Sequence, residues 1–160
     1  MYTDEIESPI GKLTACAEND ALIGLWFVGQ KHYPSSVNTW IVSPDYPALK
    51  ELRRWLNHYF SGDHYAPTLK LNPRGTYFQK QVWKLILEIP IGETTTYGAI
   101  AKKLGLNSAR AVGVAVAHNP ISIIIPCHRV VGADGSLTGY AGGISKKQAL
   151  LELEKYQIDI

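Results

Sequence analysis

The chain has 160 residues, of which 46% are hydrophobic and 19% charged, and its net charge is +2. This composition fits one compact domain or two small ones and excludes a disordered or fibrous chain. No apolar stretch is long enough to cross a bilayer and Met1 opens no signal segment, so a cytoplasmic protein without a membrane partner is expected.

Cys16 and Cys127 are the only cysteines and form no Cys-x-x-Cys pair, which argues against a disulfide framework or a thiolate zinc site. Both thiols are expected to be free. The charge is uneven: residues 1–72 carry six Lys/Arg and eight Asp/Glu, a net of −2, while residues 73–160 carry ten and six, a net of +4. Between Glu93 and Asp134 there is no carboxylate, yet Lys102, Lys103, Arg110 and Arg129 fall in that window. A phosphate backbone nearby would favour such a stretch; solvated lysines on helices would account for it equally well.

In chain order, Leu13–Ala17 and Leu22–Val28 flank Glu18, Asn19 and Asp20, a hairpin signal. After Ser43-Pro44-Asp45 the residues Leu49, Leu52, Leu56 and Tyr59 recur at helical spacing until Ser61-Gly62-Asp63. Ala66–Gly75, with Pro67, Pro73 and Gly75, reads as a linker and sets the expected domains at 1–72 and 73–160. Thr76-x-x-Gln79 is a capping box opening a helix with Phe78, Val82, Leu85 and Ile86 on one face, stopped by Pro90 and Gly92. A helix over Tyr97–Leu104, a turn at Gly105–Asn107 and a second helix from Ser108, as N-cap, to His118 form a helix-turn-helix pattern. The run Ile121–Ile125 predicts a buried extended segment, halted by Pro126. Val130, Val131 and Gly132–Gly135 predict a small hairpin or wing, and Ser145-x-x-Gln148 predicts the cap of a last helix carrying Leu150, Leu151 and Leu153.

Two features bear chemistry. The second helix of the pair has little bulk, with Ala109, Ala111, Gly113, Ala115 and Ala117. An ordinary helix is roughly 10 to 12 Å across and a minor groove about 6 Å wide, so a slim helix suits a widened minor groove; close packing between helices is the alternative. The other feature is Ile125-Pro126-Cys127-His128-Arg129-Val130. A lone cysteine after an apolar run is usually a core residue. With a histidine beside it and a carboxylate from elsewhere, it becomes a candidate reactive thiolate. Adjacent side chains on a regular strand face opposite ways, so linking Cys127 to His128 needs a water relay or a turned backbone.

The second half resembles the methylated-DNA–protein-cysteine methyltransferases, also called O6-alkylguanine-DNA alkyltransferases. Their Pro-Cys-His-Arg-Val signature stands at Pro126–Val130. Further matches are Thr76-x-Phe78-Gln79, Val82-Trp83, Gly92-Glu93-Thr94, Tyr97-Gly98, Ala109–Gly113, Asn119-Pro120 and Tyr140-x-Gly142-Gly143. Ser8–Gly11 and Leu22–Phe27 resemble the family's variable first domain more loosely. The resemblance implies an α/β N-terminal domain with an RNase H-like sheet and a mainly helical C-terminal domain with a winged helix-turn-helix.

It also implies single-turnover repair of O6-alkylguanine, with O4-alkylthymine left open, in double-stranded DNA by alkyl transfer to Cys127. In that reading His128 is the water-mediated base, Glu154 orients it, Asn119 ties the recognition helix to the active-site segment, and Tyr97 donates a proton to the leaving guanine. Asn119 also suits a helix C-cap. Arg110 fills the space left by a flipped base; Thr96, Ser108, Ala109, Ala111 and Gly113 face DNA; Val130, Tyr140, Ala141 and Gly142 wall the base pocket. Where some relatives carry a serine this chain has Ala141, leaving a backbone N–H to face the guanine oxygen. No cofactor is expected, and no metal, since Cys16, His32, His58 and His64 form no recognised ligand spacing. A monomer is expected, with cooperative binding along DNA left open. Three other readings compete. A binding-only relative would lack the acceptor cysteine, a Cys-His hydrolase would bring its pair together from distant positions, and a winged-helix regulator would lack the thiol.

Overall fold

A computed structural model describes residues 1–158; residues 159 and 160, the last two of the predicted second domain, lie outside the described residues. The first half is a mixed sheet of β1 (Tyr2–Ile6), β2 (Leu13–Glu18), β3 (Ala21–Phe27) and β4 (Ile41–Val42), in the order β3-β2-β1-β4. β1, β2 and β3 run antiparallel, whereas β4 joins β1 in parallel. The expected hairpin turns on Asn19 and Asp20, both left-handed at φ 51° and 56°. Short polar side chains tolerate that conformation, and two such residues match the twist of the flanking strands. Helix α1 (Pro47–Ser61) buries Leu49, Leu52, Leu56 and Tyr59, which join Leu13, Ala15, Leu25 and Phe27 of the sheet in one core. Gly62 ends it at φ 94°, its N–H reaching the His58 and Tyr59 carbonyls.

The predicted linker is tied down. Leu22 N–H donates to the Lys70 carbonyl and Asn72 N–H to the Leu22 carbonyl, both at 2.8 Å. Further along β3, Leu25 N–H donates to the Pro120 carbonyl (2.8 Å) and Ser122 N–H to the Leu25 carbonyl (2.9 Å). The sheet edge is thereby covered, and it grips the segment that leads to Cys127.

In the second half, α2 (Tyr77–Leu87) opens on the predicted capping box. Gln79 N–H donates to Thr76 Oγ1 (3.1 Å) and Thr76 N–H to Gln79 Oε1 (3.0 Å). Strand β5 (Thr95–Thr96) leads into α3 (Tyr97–Lys103), which pairs with α4 (Arg110–Ala117) as the helix-turn-helix. Ala109, already in the helical region, is the N-cap of α4 in place of Ser108; the Ser108 hydroxyl still accepts from Arg110 N–H at 3.2 Å.

Three local expectations are corrected. Ile121–Ile125 is buried but not extended: after Ile121 bridges Leu25, the chain turns, with Ile125 N–H bonded to the Ile121 carbonyl (3.1 Å) and Ile123 at φ 71°. Val130–Val131 forms no hairpin; as β6 it pairs in parallel with β5, because Thr95–Thr96 supplies the neighbouring edge. Finally, α5 (Ile144–Ile158) starts one residue before Ser145. Gly143, at φ 103°, turns the chain into that helix, and its carbonyl accepts the Lys147 N–H at 3.1 Å.

Candidate active site

Cys127–Arg129 is a single 3₁₀ turn, the turned backbone that two adjacent functional side chains require. Cys127 is 5% exposed, while His128 and Glu154 are fully buried. Glu154, on α5, accepts from His128 Nε2 (2.7 Å), Tyr59 Oη (2.6 Å), and Arg129 Nε (2.7 Å) and Nη2 (3.0 Å). Burial pushes its carboxyl up, but hydrogen bonds from His128 and Arg129 and the Arg129 charge outweigh that and hold it at about 2. An ionised carboxylate only accepts, so the proton of a neutral His128 sits on Nε2 and Nδ1 keeps its lone pair. Burial, more than any other cause, keeps that imidazole neutral by lowering its pKa; Glu154 opposes and the Arg129 and Lys147 charges assist. Nδ1 is buried without a hydrogen-bond partner among the described residues. The arrangement is a fixed tautomer with a free base nitrogen.

The thiol itself is not ionised at rest. Burial raises Cys127 to about 11, against the pull of Asn119, the Lys147 charge and the backbone N–H groups of Cys127 and His128. A base must therefore act as the reaction proceeds. Asn119 follows the α4 C-cap His118. Its Nδ2 donates to the carbonyls of Ile121 (3.3 Å) and Ile125 (2.8 Å), and its Oδ1 accepts from Ile121 N–H (3.0 Å). The side chain therefore ties the end of α4 to the turn before Cys127.

Tyr97, at the start of α3, donates its hydroxyl to the Thr138 carbonyl (2.8 Å). Its pKa is raised, first by burial and then by Cys127. Tyr140 is buried, with a hydroxyl that has no hydrogen-bond partner among the described residues. Gly142 fits only without a side chain: a Cβ there would lie 2.7 Å from the Tyr140 ring and 2.9 Å from Phe27. Val130 is fully buried, and the Ala141 carbonyl accepts from Lys31 N–H of the first half (3.2 Å).

Helix α4 splits its small residues between two tasks. Arg110, Ala111 and Val114 are exposed, and Arg110 forms no ion pair among the described residues. Ala115 is buried, its carbonyl accepting the Trp83 indole of α2 at 2.9 Å, and Gly113 lies against Tyr97. Both the slim outward face and close helix packing are thus present. Ser108 is exposed and Ala109 half-buried next to this face, while the Thr96 hydroxyl is engaged in capping α3 through Ala99 N–H (3.0 Å).

Residues 77–156 match the 6-O-methylguanine DNA methyltransferase, DNA binding domain, and residues 1–73 match the ribonuclease-like domain of the same proteins. The chain belongs to this family. It is 50% identical over 151 residues to the methylated-DNA–protein-cysteine methyltransferase of Mycobacterium tuberculosis, covering 94% of this chain and 90% of the relative. The Methanosarcina barkeri protein of the same name is 49% identical, with 97% and 98% covered. Among solved structures, Mycobacterium tuberculosis OGT in complex with DNA superposes with a TM-score of 0.90 at 46% identity, covering 98% of this chain and 94% of that one. The O6-methylguanine DNA methyltransferase of Methanococcus jannaschii gives 0.70 at 31%, covering 95% and 93%. The N-terminal α/β domain is therefore ribonuclease-like and the C-terminal domain is the family's helical DNA-binding domain.

Within this methyltransferase, Tyr59 and Lys147 had no role at the site in the sequence reading, and Arg129, grouped there with the cations that suit a phosphate backbone, is instead paired with buried Glu154. Arg129 stands in the signature, next to the histidine, and spans Glu154 and the Ile89 carbonyl (2.7 Å). Tyr59 belongs to the apolar stripe of α1, where nothing marks its hydroxyl for a carboxylate 95 residues away. Lys147 sits in the first turn of a helix, where lysines are ordinarily solvated, yet it is fully buried.

Proposed function

We propose that this methylated-DNA–protein-cysteine methyltransferase repairs O6-alkylguanine in double-stranded DNA by moving the alkyl group, once and irreversibly, onto Cys127. The free Nδ1 of a histidine pinned by an ionised carboxylate, on the same turn as the thiol, is the observation that carries this reading. His128 takes the thiol proton through a water as sulfur attacks the alkyl carbon. The carbon–sulfur bond forms, the carbon–oxygen bond breaks, and its electron pair moves onto guanine. Tyr97, released from Thr138, donates a proton to the base and receives one back from solvent, which offsets that charge. The thioether has no good leaving group for water, so each molecule acts once, without cofactor or metal.

The target carbon lies inside the base stack, and Arg110 occupies the gap when the base flips out. Ser108, Ala109, Ala111, Gly113 and Thr96 make up the DNA-facing surface, with Asn119 holding α4 to the acceptor turn. Val130, Tyr140, Ala141 and Gly142 wall the base pocket. The protein acts as a cytoplasmic monomer, and its two domains meet at residues 72 and 73.

Titration against excess methylated duplex, followed by peptide mapping, tests the assignment. One equivalent of alkyl group is expected on Cys127 and none on Cys16, which is raised to about 11 by burial and has only the Met1 sulfur as a side-chain partner among the described residues (3.1 Å). A Cys127→Ser variant should bind the duplex and transfer nothing, because a hydroxyl is a far weaker nucleophile. Product beyond one equivalent, or label on Cys16, would falsify the acceptor assignment.

A further inference from the structure

The loop that follows β3, residues 28–33, touches the second domain at two places. Lys31 N–H donates to the Ala141 carbonyl (3.2 Å), and the His32 ring stacks on His118 at 4.0 Å, 27° from parallel. Next to them Phe27, the last residue of β3, packs so closely on residues 140–142 that a Cβ on Gly142 would lie 2.9 Å from its ring. The loop itself is tied down. Gln30 Oε1 accepts from Phe27 N–H (2.9 Å), Gln30 Nε2 donates to the Lys31 carbonyl (3.2 Å), and Tyr33 Oη shares a hydrogen bond with Thr14 Oγ1 (2.7 Å). His32 takes a left-handed backbone at φ 63°, which histidine visits more readily than most residues. On the facing side, His118 Nδ1 donates to the Val114 carbonyl (2.8 Å), so its ring is fixed to the end of α4, and Asn119 follows it.

We propose that His32 is a positioning residue for the base pocket: its stack on His118 locks the loop between the end of α4 and the Ala141 carbonyl, and so sets the recognition helix against the pocket wall. This rests on residues 140–142 walling that pocket. A single backbone bond at 3.2 Å competes with water, and the stacked rings beside it must part before it opens. The lock responds to protonation. Partial burial, then His118, then Lys31 lower the pKa of His32, and no carboxylate pairs with either ring among the described residues. The titratable groups facing it are therefore Lys31 on its own loop and His118 past α4, both positive when charged. A histidine whose folded pKa lies below its ordinary 6.5 contributes stability that is complete above 6.5 and is lost as pH falls through the folded value. Two imidazolium rings 4.0 Å apart repel, so acid opens the lock.

Two variants test this, read by hydrogen exchange of the Lys31 amide and by single-turnover transfer from methylated duplex. His32→Asn tolerates the left-handed backbone and removes the ring, whereas His32→Phe keeps a flat ring and removes the titration. At pH 7, His32→Asn should speed Lys31 exchange about tenfold and slow transfer at saturating duplex about fivefold. His32→Phe should restore most of both. Between pH 7 and pH 5, wild type should lose about threefold more of its rate than His32→Phe, since the response of Cys127 and His128 to pH is common to both. Wild-type exchange in His32→Asn overturns the lock. Faster exchange with a wild-type transfer rate puts the failure in the pocket reading: residues 140–142 then do not set the base, and the positioning role falls with them. Parallel pH profiles in wild type and His32→Phe overturn the part given to the titrating ring.

Discussion

Glu154 shows how one buried residue can set both chemistry and stability. It takes hydrogen bonds from His128, from Arg129 and from Tyr59, so the buried charge is surrounded by donors. Its folded pKa, about 2, lies below the ordinary value of 4.5. A carboxyl depressed in this way contributes stability that is complete above the unfolded value and is lost as pH falls from 4.5 through about 2. Replacing Glu154 with Gln should therefore cost a few kcal/mol at pH 7, where the largely buried Arg129 loses its counter-charge, and the cost should shrink toward pH 2. Urea midpoints at pH 7 and at pH 3 measure this; an equal deficit at both would count against an ionised Glu154. The same variant should slow single-turnover transfer at least tenfold, because an amide no longer requires a proton on His128 Nε2.

At the scale of elements, the acceptor turn depends on Asn119 more than on its own sequence. Ile123 sits at φ 71°, a costly conformation for a β-branched residue, and the surrounding backbone groups are paired through the Asn119 amide. Asn119→Ala leaves the buried Ile121 N–H unpaired, which costs about 1 to 3 kcal/mol, and takes one of two donors from each of the Ile121 and Ile125 carbonyls. The expected result is a loss of about 2 to 4 kcal/mol in urea unfolding and a transfer rate lowered at saturating DNA. Asn119→Asp, which accepts but does not donate, should not rescue either quantity; a wild-type rate in Asn119→Ala would remove its positioning role. This turn also shows what sequence does not hold. The capping box of α2 and the Asn19-Asp20 hairpin were legible because their partners are at most a few residues apart. For Ile121–Ile125 the composition announced burial, but the conformation depends on a side-chain amide outside the run and on the edge of β3. Ser145 misled for a related reason: a left-handed Gly143 turns the chain into α5 first. The chemistry was easier to read than the shape, since the signature puts Cys127, His128 and Arg129 on consecutive residues. The other partners of Glu154, which are Tyr59 and Arg129, and those of Lys147 were hidden because tertiary packing alone brings them there.

Across the whole molecule, the first domain holds the second at several points. Strand β3 hydrogen-bonds the chain at Pro120 and Ser122, Lys31 holds the Ala141 carbonyl, and the His32 ring stacks on His118 at 4.0 Å, just past α4. Tyr59 reaches deepest, donating to Glu154 from α1 while its ring stacks on Trp55 at 5.2 Å. Tyr59→Phe keeps that ring and deletes the donor, so its effect isolates one hydrogen bond to a charged group, worth about 1.5 to 3 kcal/mol. Unfolding in urea at pH 7 should show that loss, whereas transfer should slow only a few-fold, because His128 and Arg129 still hold the carboxylate. The decisive measurement is the double-mutant cycle with Glu154→Gln. If the hydroxyl acts through the carboxylate, the two substitutions together should cost less than their separate costs combined, by about 1 kcal/mol or more. Additive costs would mean that Tyr59 stabilises the domain contact by packing alone, and that its hydroxyl does not act through Glu154.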